Sequence, residues 1–273
     1  MLYLSRRVDF SATHVYNVAA WSSEKNESIF GRCNNRNGHG HDYKLEVMVK
    51  GRLNWESGIV VNTTDIKNIV NDFIKKELDG KFLNREHPYF MKNVPTSENM
   101  VDYIWAFLKN KFEGCELHRI RLFENHYLSA IRESDSLTCL TRKYHFCAAH
   151  RLHSDQLSTE ENIDLFGKCN NPHGHGHNYY LDVTVKGKPH PETGMIINLT
   201  ELDTIVERVV LNKFDHKHLN LDTAEFANLN PTAEAVAMVI YNMLAPHLPG
   251  LHKIGLWETE KNYFEYCGQD DDE

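Results

Sequence analysis

Gly174-His175-Gly176-His177-Asn178-Tyr179-Tyr180-Leu181-Asp182-Val183-Thr184-Val185-Lys186 is the stretch on which the fold turns. From Tyr179 onward, apolar residues hold every second position, the period of a strand with one buried face. His175 and His177 share that parity, so an extended backbone carries both imidazoles onto the apolar face. The same pattern stands 136 residues earlier as Gly38-His39-Gly40-His41, and the offset persists on either side. Phe10-Ser11-Ala12-Thr13-His14 returns as Phe146-Cys147-Ala148-Ala149-His150, and Gly31-Arg32-Cys33-Asn34-Asn35 as Gly167-Lys168-Cys169-Asn170-Asn171. Asn62, Asp79, Asn84, Thr96 and Glu98 align with Asn198, Asp215, Asn220, Thr232 and Glu234 without an insertion. A two-residue deletion then sets Phe123-Glu124 against Trp257-Glu258. So long a period exceeds that of solenoid units and denotes a duplicated domain. The expected boundaries are residues 1–134 and 141–269, with a linker near Ser134 to Leu140.

Each half reads as ββααββ. An opening strand leads through a loop to the alternating strand. An amphipathic helix follows, with Leu202, Ile205, Val206, Val209 and Val210 at helical spacing and Ile66, Ile69, Val70, Phe73 and Ile74 as their counterparts. A second helix starts after Pro231-Thr232 (Pro95-Thr96 in the first half), with threonine as N-cap. Two closing strands run from about His252 to Glu258 and from Tyr263 to Tyr266. The expected class is α+β: an antiparallel sheet covered by two helices on one face, twice in tandem.

Composition sets the limits. With 41% hydrophobic and 25% charged residues in 273, the chain has the composition of a soluble globular protein and the length of one large domain or two ordinary ones. A net charge of −8 argues against nucleic-acid and anionic-membrane partners, which favour a basic face. No apolar stretch approaches a bilayer span, and the start Met1-Leu2-Tyr3-Leu4-Ser5-Arg6-Arg7 lacks the order of a signal peptide. The acidic end Asp270-Asp271-Asp272-Glu273 reads as a solvated tail. Six dispersed cysteines do not form a disulfide framework, which points to a reducing, cytoplasmic setting.

A lone His-x-His pair is most often a surface or hydrogen-bonded pair. A third histidine changes that reading. His150 lies 25 residues before His175, and His14 lies 25 before His39. Three neutral imidazoles, His150, His175 and His177, leave a zinc ion its full charge and an open fourth position, the catalytic arrangement. His14, His39 and His41 repeat the set. Ligation by Cys33 or Cys169 is the competing zinc reading, weakened because neither has a second cysteine nearby.

Cys169 stands six residues before His175, beside Lys168 and in a Gly- and Asn-rich loop. A thiol there can be exposed, near metal and activated by the neighbouring cation; the alternative is a buried structural cysteine. Asp215-His216 follows the first helix. It can be ordinary helix-end chemistry, but the first half has Asp79-Gly80, so its proton-transferring imidazole is missing. Phe82 likewise replaces His218. Glu258, in an apolar closing strand, is expected to face a ligand or partner, because a buried carboxylate needs donors. Glu234 suits either the helix dipole or a ligand.

Together these residues resemble the 6-pyruvoyl-tetrahydropterin synthase family. The second half matches through Phe146-x-Ala-Ala-His150, Leu165 to Pro172 running into Gly174-His175-Gly176-His177-Asn178-Tyr179, Gly194-Met195, Asn198-Leu199-Thr200 and Asp215-His216-Lys217. The resemblance implies conversion of 7,8-dihydroneopterin triphosphate to 6-pyruvoyl-tetrahydropterin with loss of triphosphate, toward tetrahydrobiopterin. It implies His150, His175 and His177 as zinc ligands and Cys169 as general base, assisted by His216 with Asp215. Glu258 would anchor the pterin ring, with Thr232 and Glu234 near it. Magnesium would accompany the triphosphate.

The first half resembles the family less closely, with Asp42 where the family has asparagine and Gly80 where it has histidine. It is expected to bind zinc, with pterin binding left open, and to turn over poorly on its own. The resemblance also implies the tunnelling fold, with units closing into stacked barrels as a homo-oligomer, here a trimer of two-domain chains. Two rivals remain: a 6-carboxy-tetrahydropterin synthase, in which the cysteine typically precedes His-Gly-His by four residues, and a non-catalytic pterin- or zinc-binding regulator.

Overall fold

The computed structural model describes residues 1–133 and 137–268. Part of the expected linker, the boundary residues Ser134 and Gln269, and the acidic tail lie outside the described residues; Thr138 to Leu140 already belong to a strand.

The first repeat contains β1 (Leu2–His14), α1 (Ser23–Phe30), β2 (His39–Gly51), α2 (Thr63–Glu77), a helical turn α3 (Leu83–Glu86), α4 (Ser97–Leu108), β3 (Glu116–Asn125) and β4 (Leu128–Glu133). The second has β5 (Thr138–His150), α5 (Thr159–Phe166), β6 (His175–Gly187), α6 (Leu199–Val206), α7 (Asn212–Phe214), β7 (Lys217–His218), α8 (Leu219–Asp222), α9 (Ala233–Leu244), β8 (Leu251–Thr259) and β9 (Asn262–Tyr266). A π-helical turn, Glu207–Leu211, links α6 to α7. The chain forms two compact units. The first is Met1–Thr141 with Lys186–Thr200, so a loop of the second repeat belongs to it; the second is Arg142–Val185 with the chain from Glu201 onward.

In the first repeat β1 pairs antiparallel with β2 from Leu2↔Gly51 to His14↔His39, and β2–β3 and β3–β4 continue antiparallel. The second repeats the order β5-β6-β8-β9. Alternation decides which face is buried: Tyr43, Leu45, Val47 and Val49 are wholly buried, as are Tyr179, Leu181 and Val183. Helix α2 lays Ile66, Val70, Phe73 and Ile74 into the first core, and the second core receives Leu202, Val206, Val209 and Val210. Each such side chain contributes roughly 1.5–3 kcal/mol by leaving water. Among the described residues, no helix is long and apolar enough to cross a membrane.

The expected ββααββ order is present, with additions. The loop before β6 holds α5 and a 3-10 turn, Gly167–Asn170, that carries Cys169. Helix α5 has a full capping box in which Ser158 and Glu161 satisfy each other's backbone amides.

Candidate functional site

At the end of β1 and the start of β2, and again on β5 and β6, three imidazoles converge. In each triad, His14-His39-His41 and His150-His175-His177, the candidate ligand atoms all lie within 4.8 Å of one another. His14 Nδ1 lies 3.0 Å from the Pro95 carbonyl and His150 Nδ1 lies 2.7 Å from the Pro231 carbonyl. A carbonyl only accepts, so both Nδ1 atoms carry the proton and both Nε2 lone pairs are bare. Those lone pairs face His39 Nε2 and His175 Nε2, each at 3.1 Å. Tetrahedral Zn–N bonds of about 2.0–2.1 Å would set ligand nitrogens about 3.3 Å apart, so this spacing fits a shared cation. His41 Nε2 and His177 Nε2 are buried with no hydrogen-bond partner, as atoms meant for a metal would be.

Electrostatics favour the same state. Burial pushes the pKa of His14 and of His150 down to about 4, keeping both neutral and able to ligate. Burial also lowers His39 and His175. Beside each triad lies a carboxylate. Glu124 Oε1 is 3.4 Å from His41 Nε2, and Glu258 Oε1 is 3.7 Å and 3.8 Å from His150 and His177 Nε2.

Both glutamates sit at register shifts. The β3–β4 ladder slips between Phe123 and Asn125, and the β8–β9 ladder slips between Trp257 and Thr259. The shifts do not turn them: Glu124 keeps the parity of the buried Ile120 and Leu122, and Glu258 that of Ile254 and Leu256, so strand alternation aims both at the histidines.

Asp215 and His216 form one turn at the end of α7. His216 takes φ 58°, its Nδ1 lies 3.0 Å from Asp215 Oδ1, and its amide donates to the Cys147 carbonyl at 2.6 Å. The Cys147 amide donates to Asp215 Oδ1 at 2.8 Å. Burial pushes the Asp215 carboxyl up, but the Cys147 amide and His216 outweigh it and hold the pKa below the usual range. The His216 side chain is 80% exposed, so its other nitrogen is open to a reacting group.

Cys169 is a free, half-buried thiol, and its carbonyl accepts from the Leu152 amide. Among the described residues, no hydrogen bond joins the thiol to Asp215 or His216. Thr232 caps α9 by accepting from the Ala235 amide, and Glu234 is exposed.

The first repeat differs around its carboxylates. Glu98 is buried and its Oε1 accepts the Ile196 amide at 3.0 Å. Thr96 Oγ1 donates to the Gly194 carbonyl at 2.6 Å, and Met195 packs with Tyr16, Phe30 and Val94. Burial raises the Glu98 pKa to about 7. Sequence reasoning missed this docking of the second repeat's loop, because local pattern does not reveal a partner about 100 residues away.

The geometry defines a duplicated α+β protein with an imidazole triad able to hold a metal in each repeat and an Asp-His pair in one. A family model for 6-pyruvoyl tetrahydropterin synthase matches residues 3–134 and again 139–269. The chain therefore belongs to the 6-pyruvoyl tetrahydropterin synthase family, an enzyme family with the tunnelling fold, and carries its domain twice in tandem. It is 47% identical over 132 residues to the 6-pyruvoyl tetrahydrobiopterin synthase of Poecilia reticulata, covering 48% of this chain and 90% of that protein. The human enzyme of the same name is 46% identical over 132 residues, 48% of this chain and 91% of that one. The solved 6-pyruvoyl tetrahydropterin synthase of Caenorhabditis elegans is 39% identical, with a TM-score of 0.47 over 49% of this chain and 96% of that one.

Proposed function

We propose that the chain is a zinc-dependent lyase of tetrahydrobiopterin biosynthesis. It would convert 7,8-dihydroneopterin triphosphate to 6-pyruvoyl-tetrahydropterin and release triphosphate. The observation that carries this reading is that the second repeat holds, in one fold, the bare Nε2 cluster beside Glu258 and the Asp215-His216 turn. An all-imidazole donor set suits zinc. Zinc bound there would polarise the oxygens of the substrate side chain.

The remaining work falls to the protein. Glu258 accepts the paired N–H groups of the amino-pyrimidinone edge and fixes the ring, with Thr232 and Glu234 at its rim. Cys169 takes and returns protons at the side-chain carbons. Asp215 holds His216 by Nδ1 so that the outward nitrogen assists, and magnesium accompanies the triphosphate. The first repeat, with Gly80, lacks that imidazole.

Incubation with 7,8-dihydroneopterin triphosphate, followed by phosphate analysis and mass spectrometry, tests the reading. Triphosphate with 6-pyruvoyl-tetrahydropterin is expected. A 6-carboxy product would select the sister activity, against which the six-residue Cys169–His175 spacing argues. No release by fully metallated protein, with Cys169→Ala unchanged, would select a regulator.

We also propose a homo-oligomer. The turn of loop 190–196, closed by Gly194 to His190 and His190 to Met195 hydrogen bonds, recurs in loop 54–60 as Gly58 to Asn54 and Asn54 to Ile59. Met195 is 7% exposed on the first repeat, whereas Ile59 is 47% exposed and Trp55 89%. Glu234, the counterpart of the covered Glu98, is exposed as well. A second copy of the chain, presenting loop 54–60 to Glu234, satisfies both surfaces, and three chains could close such a ring. A stable monomer by mass in solution would sink this.

A further inference from the structure

The two repeats also differ at the residue two places after the first histidine of each triad. In the first it is Tyr16, buried to 2% exposure; in the second it is Leu152. The Tyr16 ring lies edge-on to His14 at 5.0 Å and to Phe30 at 5.9 Å, within the cluster that includes Val94 and Met195. Its hydroxyl donates to Glu124 Oε2 at 3.2 Å, and Ser97 Oγ donates to the same oxygen at 2.7 Å. His41 stands against the other oxygen at 3.4 Å. Both hydroxyl donors thus fall on one carboxylate oxygen, in a side chain only 5% exposed.

Nothing comparable occupies Glu258. Leu152 and Ala233 replace Tyr16 and Ser97 and have no hydroxyl to donate. Among the described residues Glu258 accepts no hydrogen bond from a hydroxyl or amide, and its side chain is 16% exposed. A ring with two parallel N–H groups needs both carboxylate oxygens with free lone pairs. Glu258 offers that. Glu124 does so only if a phenol leaves an aromatic cluster and a buried charge loses its donors, which is costly.

We infer that Tyr16, with Ser97, closes the first repeat's site to the pterin ring while leaving its histidine triad able to hold a metal. The inference rests on the reading of Glu258 as the ring anchor. Each chain then carries two metals and one pterin site. In this respect the first repeat has become a framework for the second. Tyr16 acts here as a specificity-determining residue: its side chain fills the place of the ligand.

Calorimetric titration of the metal-loaded full chain with neopterin, which has no triphosphate to eliminate, reads the number of sites. The wild type is expected to bind one neopterin per chain, and Glu258→Gln none. Tyr16→Leu should bind two, and the double variant Tyr16→Leu/Glu258→Gln one, with two metals per chain by elemental analysis confirming an intact fold. The reciprocal Leu152→Tyr, at a half-buried position, should lower binding from one to none with metal content unchanged. Two sites in the wild type, one lost on Glu124→Gln, would overturn the inference. So would a single site in a fully metallated Tyr16→Leu chain, or full binding by Leu152→Tyr. If Glu258→Gln leaves binding intact, the anchor reading fails and this inference with it. Loss in Glu258→Gln without gain in Tyr16→Leu sinks the inference alone.

Discussion

Gly80 and His216 occupy the same left-handed turn of the two repeats, with φ of 73° and 58°. The turn is built alike in both. The Gly80 amide donates to Ser11 and the His216 amide to Cys147, at 2.7 Å and 2.6 Å. Asp79 and Asp215 accept the amides of Ser11 and Cys147, at 3.0 Å and 2.8 Å. Asp215 therefore has a structural task that survives in Asp79 without an imidazole to orient. Within this turn, the imidazole alone is missing from the first repeat.

His216→Ala should consequently lower kcat by about 10²- to 10⁴-fold while leaving metal content and thermal midpoint near those of the wild type. A Cβ on Gly80 would meet nothing within 4 Å, so Gly80→His is expected to fold at a cost of about 1 kcal/mol. Steady-state kinetics and a melting curve check both. An alanine variant with unchanged kcat would remove His216 from the reaction.

Metal content separates ligands from chemistry. His175→Ala should lose one metal of two per chain, His39→Ala the other, and the double variant both. Cys169→Ser should keep both metals and lose turnover, because a hydroxyl is a far weaker acid than a thiol at neutral pH. Elemental analysis beside activity decides. Loss of metal in Cys169→Ser would revive cysteine ligation.

Much of this is legible in the sequence alone. Alternation from Tyr179 to Val185 marks the strand, parity puts His175 and His177 on its buried face, and the repeat ties His150 to them. Helix α5 is legible too, since Ser158 followed by Glu161 is a capping box, though the segment reads as loop by hydrophobic pattern alone. Parity also turns Glu124 and Glu258 inward, in step with Ile120 and Leu122 and with Ile254 and Leu256. The register slips beside them leave no local mark, because a slip is fixed by the partner strand. Tyr16 reads as an ordinary core aromatic; its bond to Glu124 spans 108 residues of chain.

Glu98 supplies a pH test. Burial is the largest cause raising its pKa to about 7, against an ordinary value of 4.5. Between those values the folded chain binds a proton that the unfolded chain does not, so stability falls as pH rises through the window. Glu98→Gln removes the titration and keeps an oxygen for the Ile196 amide. The variant should gain on the wild type by roughly 1–3 kcal/mol between pH 5 and pH 7.5, at about 1.36 kcal/mol for each pH unit that separates the folded from the unfolded titration. Denaturant melts at several pH values measure it. Parallel stability curves would show that Glu98 is ionised without penalty.

Met195 and Ile59 hold equivalent places in loops with the same internal hydrogen bonds, yet one is 7% exposed and the other 47%. Met195→Ala empties a position among Tyr16, Phe30 and Val94, and should cost about 2–5 kcal/mol, the usual range for truncating a buried methionine. That cost should not depend on protein concentration, because the packing lies within one chain. Ile59→Ala should cost well under 1 kcal/mol in a dissociated chain, where half the side chain already meets water. Its effect belongs to assembly: if loop 54–60 seats on a second copy, the variant shifts self-association to higher concentration by about tenfold for every 1.4 kcal/mol removed from the interface. Sedimentation across a concentration series, beside denaturant melts, separates the two. An Ile59→Ala chain that associates like the wild type would remove this loop from the interface.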